Sequence, residues 1–248
     1  MRKTLAEKGV GRKEGFRWRG SEITRLEGFT DAVFAFAITL LVVSLEVPRT
    51  FTELLDSMQG FVAFALGFAL LFFIWYNQYL FFRRYGLQDV FTITLNAVLL
   101  FVVLFFVYPL KFLCTLVVRQ LAGQGLLVRL ANGAVEPAIH SEQSSLLMVI
   151  YSLGYVAIFA IFALLFIHAY RRRTDLGLSA IEVCDTRASI QSHLMNVLVG
   201  LVSITIVLVG GQGYVSLSGF IYFLLGPALT LNGMIMGKRR ERIAHHTV

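Results

Sequence analysis

Three ionisable residues open an otherwise apolar stretch near the N-terminus. The stretch RLEGFTDAVFAFAITLLVVSLEVP begins with Arg25, Glu27 and Asp31 and then stays uncharged as far as Leu45. Charges close to lipid are costly and usually mark a functional site. Two interpretations are open at this point. Either Arg25 and Asp31 join a polar network inside the protein, or Arg25 lies among lipid headgroups and Asp31 complements the positive end of the helix.

The composition of the chain is that of an integral membrane protein. Of its 248 residues, 57% are hydrophobic and only 15% are charged, and the mean hydropathy is +0.73. A soluble domain of this length could not bury so much apolar surface. The net charge of +7 lies in short clusters between apolar runs, which indicates membrane topology and not nucleic-acid binding.

Motifs for catalysis and cofactor binding are absent from the sequence. The His, Cys, Asp and Glu residues have no metal-ligand spacing, and we find no Gly-rich phosphate loop or nucleophile elbow. The carbonyl filter sequence of ordinary potassium channels is also missing. The sequence therefore predicts a protein that is not an enzyme and that needs no cofactor.

Uncharged runs of sufficient length predict an all-α fold with six transmembrane helices. A membrane helix needs about 20 mostly apolar residues. The last run is long enough for two crossings, because the GGQG sequence at 210–213 is expected to break it. The runs cover residues 32–45, 57–82, 90–110, 143–170 and 188–237.

The distribution of Lys and Arg predicts the orientation in the membrane. If the N-terminus is cytoplasmic, 18 of the 22 basic residues lie on the inner side and 4 on the outer side, as the positive-inside rule requires. We therefore predict a multi-pass protein of the cell membrane with both termini cytoplasmic. Its parts are a basic tail (1–19), a six-helix domain (20–237) and a second basic tail (238–248). The outer loop, about 112–142, either extends the third helix or lies on the outer surface.

Further polar residues lie at the same predicted depth as Arg25 and Asp31. The second span contains the sequence WYNQY, with Trp75 and Asn77, and the third span contains Asn96 near its inner end. Hydrogen bonds between membrane helices contribute about 0.6–2 kcal/mol each. These residues are candidates for a network that holds the first helix to the second and third.

A helical wheel separates two faces on the first span. At about 100° per residue, Phe36, Leu40 and Val43 share one stripe, with Thr39 and Glu46 at its edge. Asp31 lies about 140° from Phe36 on this wheel. One face therefore carries a ladder of large apolar side chains, and another carries a charge that needs a partner within the protein.

The same residues resemble the first helix of the transmembrane protein 175 family of potassium channels. The family signature is Arg, three residues, then Phe-Ser-Asp, and here Thr replaces Ser. The second helix is similar to the family's Trp-x-x-His-His motif, although Gln78 and Tyr79 replace both His. The resemblance is specific for the first three helices, and after them only the helical layout is similar. The residues that carry it are Arg25, Phe29, Thr30, Asp31, Val47, Pro48, Trp75, Asn77, Asn96, Leu99, Leu100 and Pro109.

The resemblance implies a passive, potassium-selective homotetrameric channel with potassium as the permeant ion. The first helix of each subunit would line a central pore, with rings of apolar side chains and a Thr layer in place of a carbonyl filter. The rings would be Phe36, Thr39, Leu40 and Val43, with Glu46 at the outer mouth. The resemblance also implies a structural lock for the pore helix, made of Arg25, Phe29, Thr30, Asp31, Trp75, Asn77 and Asn96.

One departure from the family pattern leaves alternatives open. Phe36 occupies a position that is usually Ile or Leu, and four Phe side chains would narrow the constriction, unless Phe36 packs into a subunit interface. A non-conducting membrane scaffold is therefore one alternative, and a secondary transporter is another. Transporters commonly carry charged residues at the midplane of their spans, and the predicted spans of this chain have none there.

Overall fold

The computed structural model describes residues 16–20, 22–43, 50–123, 127–129 and 134–246 of the chain. The architecture within these ranges is mainly helical, which agrees with the predicted all-α class. Its helices are α1 (Arg25–Val43), α2 (Phe51–Tyr85), α3 (Val90–Leu121), α4 (Ser141–Arg171), α5 (Ala180–Gly210), α6 (Val215–Phe220) and α7 (Leu225–His246).

Four helical stretches in the described ranges are long and apolar enough to cross a membrane. They are Gly60–Tyr85, Val90–Leu121, Ser141–Arg171 and Ala180–Ile243, and the last contains 64 residues. One crossing needs about 20 residues, so this last stretch is long enough for more than one. The chain is therefore a multi-pass membrane protein.

The predicted break in the last apolar run is confirmed. Helix α5 ends at Gly210, and Gly211 has a φ of 68°, a backbone conformation that favours glycine. Short 3-10 segments (Gly211–Tyr214 and Ile221–Leu224) flank α6. Helix α7 then returns along α5, where the Asn232 amide donates to Ser192 Oγ at 3.0 Å. Nearer the α7 C-terminus, Arg240 Nε lies 3.4 Å from Asp185 Oδ1.

The segment between α3 and α4 differs from a simple loop. Helix α3 continues to Leu121 and ends before Gly123, whose φ is 68°. This outcome matches the first of the two predicted possibilities, an extension of the third helix. It is followed by two short antiparallel strands, β1 (Leu127–Arg129) and β2 (Val135–Pro137), in which Val128 is opposite Glu136.

The hydrophobic core lies where α2, α3 and α4 meet, and α1 covers one side of it. Phe81, Tyr85 and Phe166 form edge and tilted ring contacts with centroids 5.2–5.7 Å apart. Within the described residues, α1 packs against α2 and α3 and against none of the later helices. The core therefore presents α1 on a support formed by two helices only.

The end of the predicted basic N-terminal tail (1–19) contacts the helices. Phe16 is only 2% exposed, and its ring contacts that of Tyr85 edge-on at 5.8 Å. At the other terminus, α7 remains helical through His246, within the predicted C-terminal tail. Residues 16–19 thus pack against the helices, and α7 continues beyond residue 237.

Candidate functional site

Helix α1 has one buried and one exposed face. Thr30, Phe34, Ala37 and Leu41 are at most 2% exposed and contact the rest of the chain. The opposite face is open, and it carries Arg25, Gly28, Phe29, Asp31, Ala32, Ala35, Phe36, Thr39 and Val42. The buried face positions the helix, and the open face is available for a second copy, for lipid or for a pore.

The first turn of α1 is fixed by its own side chains. The Glu27 backbone N–H donates to Thr24 Oγ1 at 3.2 Å, and the Thr24 hydroxyl donates to Glu27 Oε1 at 3.3 Å. A threonine before the first turn satisfies backbone donors that a helix leaves unpaired. This cap defines where α1 begins.

Asp31 has a partner on the second helix. The indole N–H of Trp75 donates to Asp31 Oδ1 at 2.8 Å. A hydrogen bond to a carboxylate is stronger than one between neutral groups. Of the two interpretations of Asp31, this geometry is that of the polar network between helices.

Thr30 has a buried partner on the third helix. The Asn96 amide donates to Thr30 Oγ1 at 2.9 Å, and the Gln78 amide donates to Asn96 Oδ1. Thr30, Asn96 and Gln78 are each at most 2% exposed. The chain of bonds links α1, α3 and α2 in a region where an unpaired amide would be costly. We call these three residues, together with Asp31 and Trp75, the α1 lock, or simply the lock.

Some residues of the predicted network lie apart from this lock. The Asn77 amide donates to Phe73 O in its own helix at 2.8 Å, and the residue is half-buried. Asn77 is one residue from Gln78, a turn of about 100° around α2, so it faces away. Arg25 and Phe29 are exposed, and Arg25 forms no ion pair within the part of the chain that the structure describes.

Gln78 is a member of the lock that sequence reasoning missed. The sequence pattern marks its position only as the replacement of a family His. The available signal was the polarity of an amide inside a long apolar span, but Asn77 carries the same signal. Helix α2 is apolar around most of its circumference, so the sequence alone does not distinguish which amide points inward.

Three of the predicted pore residues, Phe36, Thr39 and Leu40, lie on or beside the open face of α1. The Phe36 side chain is 56% exposed. Thr39 is exposed, and its hydroxyl donates to Ala35 O at 2.9 Å. Leu40 is partly buried and packs against the hydrophobic core of the chain. The Val43 side chain and the whole of Glu46 lie outside the described residues.

No group of three or more His, Cys, Asp or Glu residues close enough to hold a metal ion occurs in the described ranges. The α1 site instead combines an anchored face with an open face of large apolar side chains and one hydroxyl. Such a surface can constrict a passage and exclude water, which is how hydrophobic gates act in channels.

Comparison with known proteins connects this site to a family. A family model described as "Endosomal/lysosomal potassium channel TMEM175" matches residues 25–106, which include α1 and the lock. A curated potassium channel of Marivirga tractuosa is 42% identical over 98% of this chain and 99% of its own length. A potassium channel of Chamaesiphon minutus is 32% identical over 41% of this chain and 54% of its own length.

Solved structures agree with the sequence comparisons. A crystal structure of the potassium channel MtTMEM175, a single-residue variant in complex with a nanobody fusion protein, has a TM-score of 0.79 and 42% identity. The match covers 92% of this chain and 100% of the MtTMEM175 chain. A crystal structure of a TMEM175 homolog from Chamaesiphon minutus has a TM-score of 0.53 at 24% identity. The match covers 84% of this chain and 95% of the homolog, and it supports the fold alone. The resemblance seen in the first three helices therefore extends along nearly the whole chain, and the protein belongs to the TMEM175 family of potassium channels.

Proposed function

We propose that four copies of this chain form a passive, potassium-selective channel of the cell membrane, with α1 of each copy lining a central pore. The observation that carries the proposal is the open face of α1. Phe36 and Phe29 are 56% and 61% exposed, although the opposite face of the same helix is anchored by the lock. Four such faces around one axis would enclose a passage lined by apolar side chains.

The spacing of the open residues supports a symmetric assembly. Arg25, Phe29, Ala32, Phe36 and Thr39 follow one another at intervals of four and three residues. Intervals of four and three are the repeat by which helices pack around a common axis. A neighbouring copy would cover part of the broad open face and leave the remainder for the pore.

The proposed topology has six crossings with both termini cytoplasmic. Four crossings correspond to α1, α2, α3 and α4, and α5 and α7 supply two more. The return of α7 along α5, with Asn232 bonded to Ser192, supports two crossings within the last apolar stretch. The 18-to-4 distribution of the 22 basic residues supports the orientation.

In the proposed pore, Phe36, Thr39, Leu40 and Val43 form successive rings. An ion that passes an apolar ring must lose part of its hydration shell, and potassium loses water at a lower cost than sodium. The Thr39 hydroxyls provide oxygen atoms next to the apolar rings. Glu46 at the outer mouth would raise the local cation concentration, because a charged rim attracts counter-ions.

The lock would hold the pore helix and would not conduct ions. Thr30, Asn96 and Gln78 bond to one another beneath the open face of α1, and Asp31 bonds to Trp75. In this proposal Arg25 and Phe29 lie at the cytoplasmic entrance, where both are exposed in the protomer. Asn77 is not part of the proposed lock.

Phe36 favours a second candidate function, a membrane scaffold that does not conduct. Four large aromatic side chains at the first ring would close the passage unless each ring turns aside. A single measurement of ion flux distinguishes the two candidate functions, the channel and the scaffold.

The test is a reversal-potential measurement on purified protein in a planar bilayer, with potassium on one side and sodium on the other. A strong shift toward the potassium equilibrium potential is the expected result. A clear current with a reversal potential near zero would support a conducting pore but contradict its selectivity for potassium over sodium. Absence of current from protein shown to be a folded tetramer would favour the scaffold.

A further inference from the structure

We propose that Arg19 and Glu182 form a clamp that positions the entrance of the pore helix, so that the corner between α4 and α5 influences conduction. The proposal rests on the pore-lining role of α1 given above. Arg19 belongs to a short N-terminal strap, residues 16–20, that lies five residues before α1 begins.

The Arg19 guanidinium has every donor engaged. Nη1 and Nη2 donate to Glu182 Oε1 and Oε2 at 3.0 and 2.8 Å, a paired arrangement that fixes orientation as well as charge. Nε donates to Leu176 O at 2.8 Å, and Nη2 also donates to Gly177 O at 3.1 Å. The remaining donor reaches Arg17 O at 3.1 Å. An arginine side chain has five N–H donors, and these bonds account for all five.

Both carboxylate oxygens of Glu182 accept further hydrogen bonds besides those from Arg19. Its side chain is only 3% exposed, and its Oε1 also accepts the Arg17 backbone N–H at 2.7 Å. Its Oε2 accepts the Ser179 backbone N–H at 2.8 Å, which completes the cap of α5. One carboxylate thus joins the strap to the first turn of α5, and either partner alone would leave a buried charge without compensation.

The strap is also attached to the end of α2. The backbone N–H groups of Arg19 and Gly20 donate to Arg83 O at 3.1 and 3.2 Å, and Arg83 Nη1 donates to Gly20 O at 2.8 Å. A Cβ atom on Gly20 would lie 2.6 Å from Phe82 O, so only glycine allows this close approach. Phe16 is buried at the start of the strap.

The strap provides a connection between the start of α1 and the later helices that direct helix packing does not provide. Helix α1 packs against α2 and α3 and, among the described residues, has no contact with α4, α5 or α7. The strap therefore connects the start of α1 to the corner between α4 and α5. A chain of five residues spans at most about 18 Å, so the start of α1 stays within this distance of the strap. We therefore expect a shift of that corner to move the strap and, through it, the base of the pore helix.

The test compares Arg19→Gln and Glu182→Gln with Arg17→Gln as the control. Glu182→Gln keeps an oxygen for the α5 cap, while Arg17→Gln removes the same charge as Arg19→Gln from an exposed side chain and keeps the backbone contact. We expect the first two variants to lower potassium flux per folded channel by roughly fivefold or more, the lower range of allosteric coupling. The double variant should be no worse than the larger single effect, because it leaves no unpaired charge.

A second readout does not depend on conduction. The chain has 2 Trp residues, so a Trp18→Phe background leaves Trp75, bonded to Asp31 of α1, as the single reporter. Arg19→Gln should shift Trp75 emission in this background, and Arg17→Gln should not. If the parent protein carries no current, the proposed function fails while this readout still tests the clamp. Equal flux and equal emission for Arg19→Gln and Arg17→Gln, whatever their melting temperatures, would overturn the inference.

Discussion

The Trp75 indole and the Asp31 carboxylate, 44 residues apart in the chain, meet at 2.8 Å and join the second helix to the first. The bond lies at the edge of the open face of α1, one position along the helix from the buried bond between Thr30 and Asn96. Two neighbouring residues of α1 are thus held by two different helices. This arrangement restricts rotation of α1 about its own axis and so determines which side chains the open face presents.

Trp75→Phe should weaken the attachment of α1 while the aromatic packing remains. The lost hydrogen bond should lower the free energy of unfolding by about 1 kcal/mol, as for other bonds between membrane helices. Thermal unfolding in detergent measures the change. Tyr76→Phe is the matched control, because the neighbouring side chain is exposed and keeps its ring contacts. Equal melting temperatures for the two variants would contradict the assigned bond.

Asn96→Leu should have a larger effect than Trp75→Phe. It removes the donor to Thr30 and the acceptor of Gln78 in a buried region. Each partner left unpaired costs about 1–3 kcal/mol. Asn77→Leu tests the same chemical change at a half-buried position of α2, where the amide bonds to Phe73 O of its own helix, and should stay within about 0.5 kcal/mol of the parent. The order of the two variants in chemical denaturation distinguishes the observed lock from the one predicted with Asn77.

Phe36→Ile tests whether the aromatic ring limits permeation. A smaller side chain should widen the first ring and raise potassium flux by roughly tenfold, equivalent to about 1.4 kcal/mol in the barrier. Flux from proteoliposomes, normalised to folded protein, is the measurement. Phe29→Ile removes a similarly exposed aromatic from the same face and should change flux less. An equal response of both positions would argue against a constriction at Phe36.

Thr39→Val tests the oxygen atoms of the proposed pore. Valine has nearly the same shape as threonine but no hydroxyl, so the passage keeps its width. The ratio of potassium to sodium permeability should fall by about fivefold, corresponding to about 1 kcal/mol for a lost polar contact. Thr94→Val is the control, since that hydroxyl also bonds within its own helix, to Val90 O. An unchanged reversal potential in Thr39→Val would exclude the hydroxyl from selectivity.

Asp89 makes stability depend on pH at the base of α3. Burial alone would raise the pKa of Asp89, but the hydrogen bond from Thr92 and the charges of His168 and Arg172 hold this pKa below its usual value of 3.8. The carboxylate accepts from Thr92 Oγ1 at 2.7 Å and lies 2.9 Å from His168 Nε2. A lowered pKa in the folded state contributes stability above the unfolded value and loses it as the pH falls through the folded value.

Asp89→Asn should therefore be less stable than the parent by about 1 kcal/mol near neutral pH, the range of a partly exposed ion pair. The difference should begin to shrink as the pH falls below the unfolded value of about 3.8 and should vanish once the pH is below the lower pKa of the folded state. Melting temperatures of the two proteins across this pH range measure it. Asp175→Asn, an exposed carboxylate in the turn before α5, should show no such dependence. A difference that persists in acid would assign the effect to shape and not to charge.

Long uncharged runs made the helical parts of the fold predictable. Membrane crossings require continuous apolar sequence, and the Gly-rich break after Gly210 was visible as a change in backbone propensity. The attachment of α1 to the second and third helices was also predictable in outline, because Asp31, Trp75 and Asn96 fall at a common depth. These features depend on local composition and spacing, which the sequence states directly.

Burial and partner choice were decided only by the tertiary structure. Gln78 and Asn77 are chemically alike, and the rotation of α2 in the bundle determines which of them reaches Asn96. The strap has the basic composition of a solvated tail, but Arg19 is paired with Glu182, 163 residues later. The sequence by itself determined where helices form and which side chains need partners. The packing of the helices decided which partners they meet, because those contacts join residues far apart in the chain.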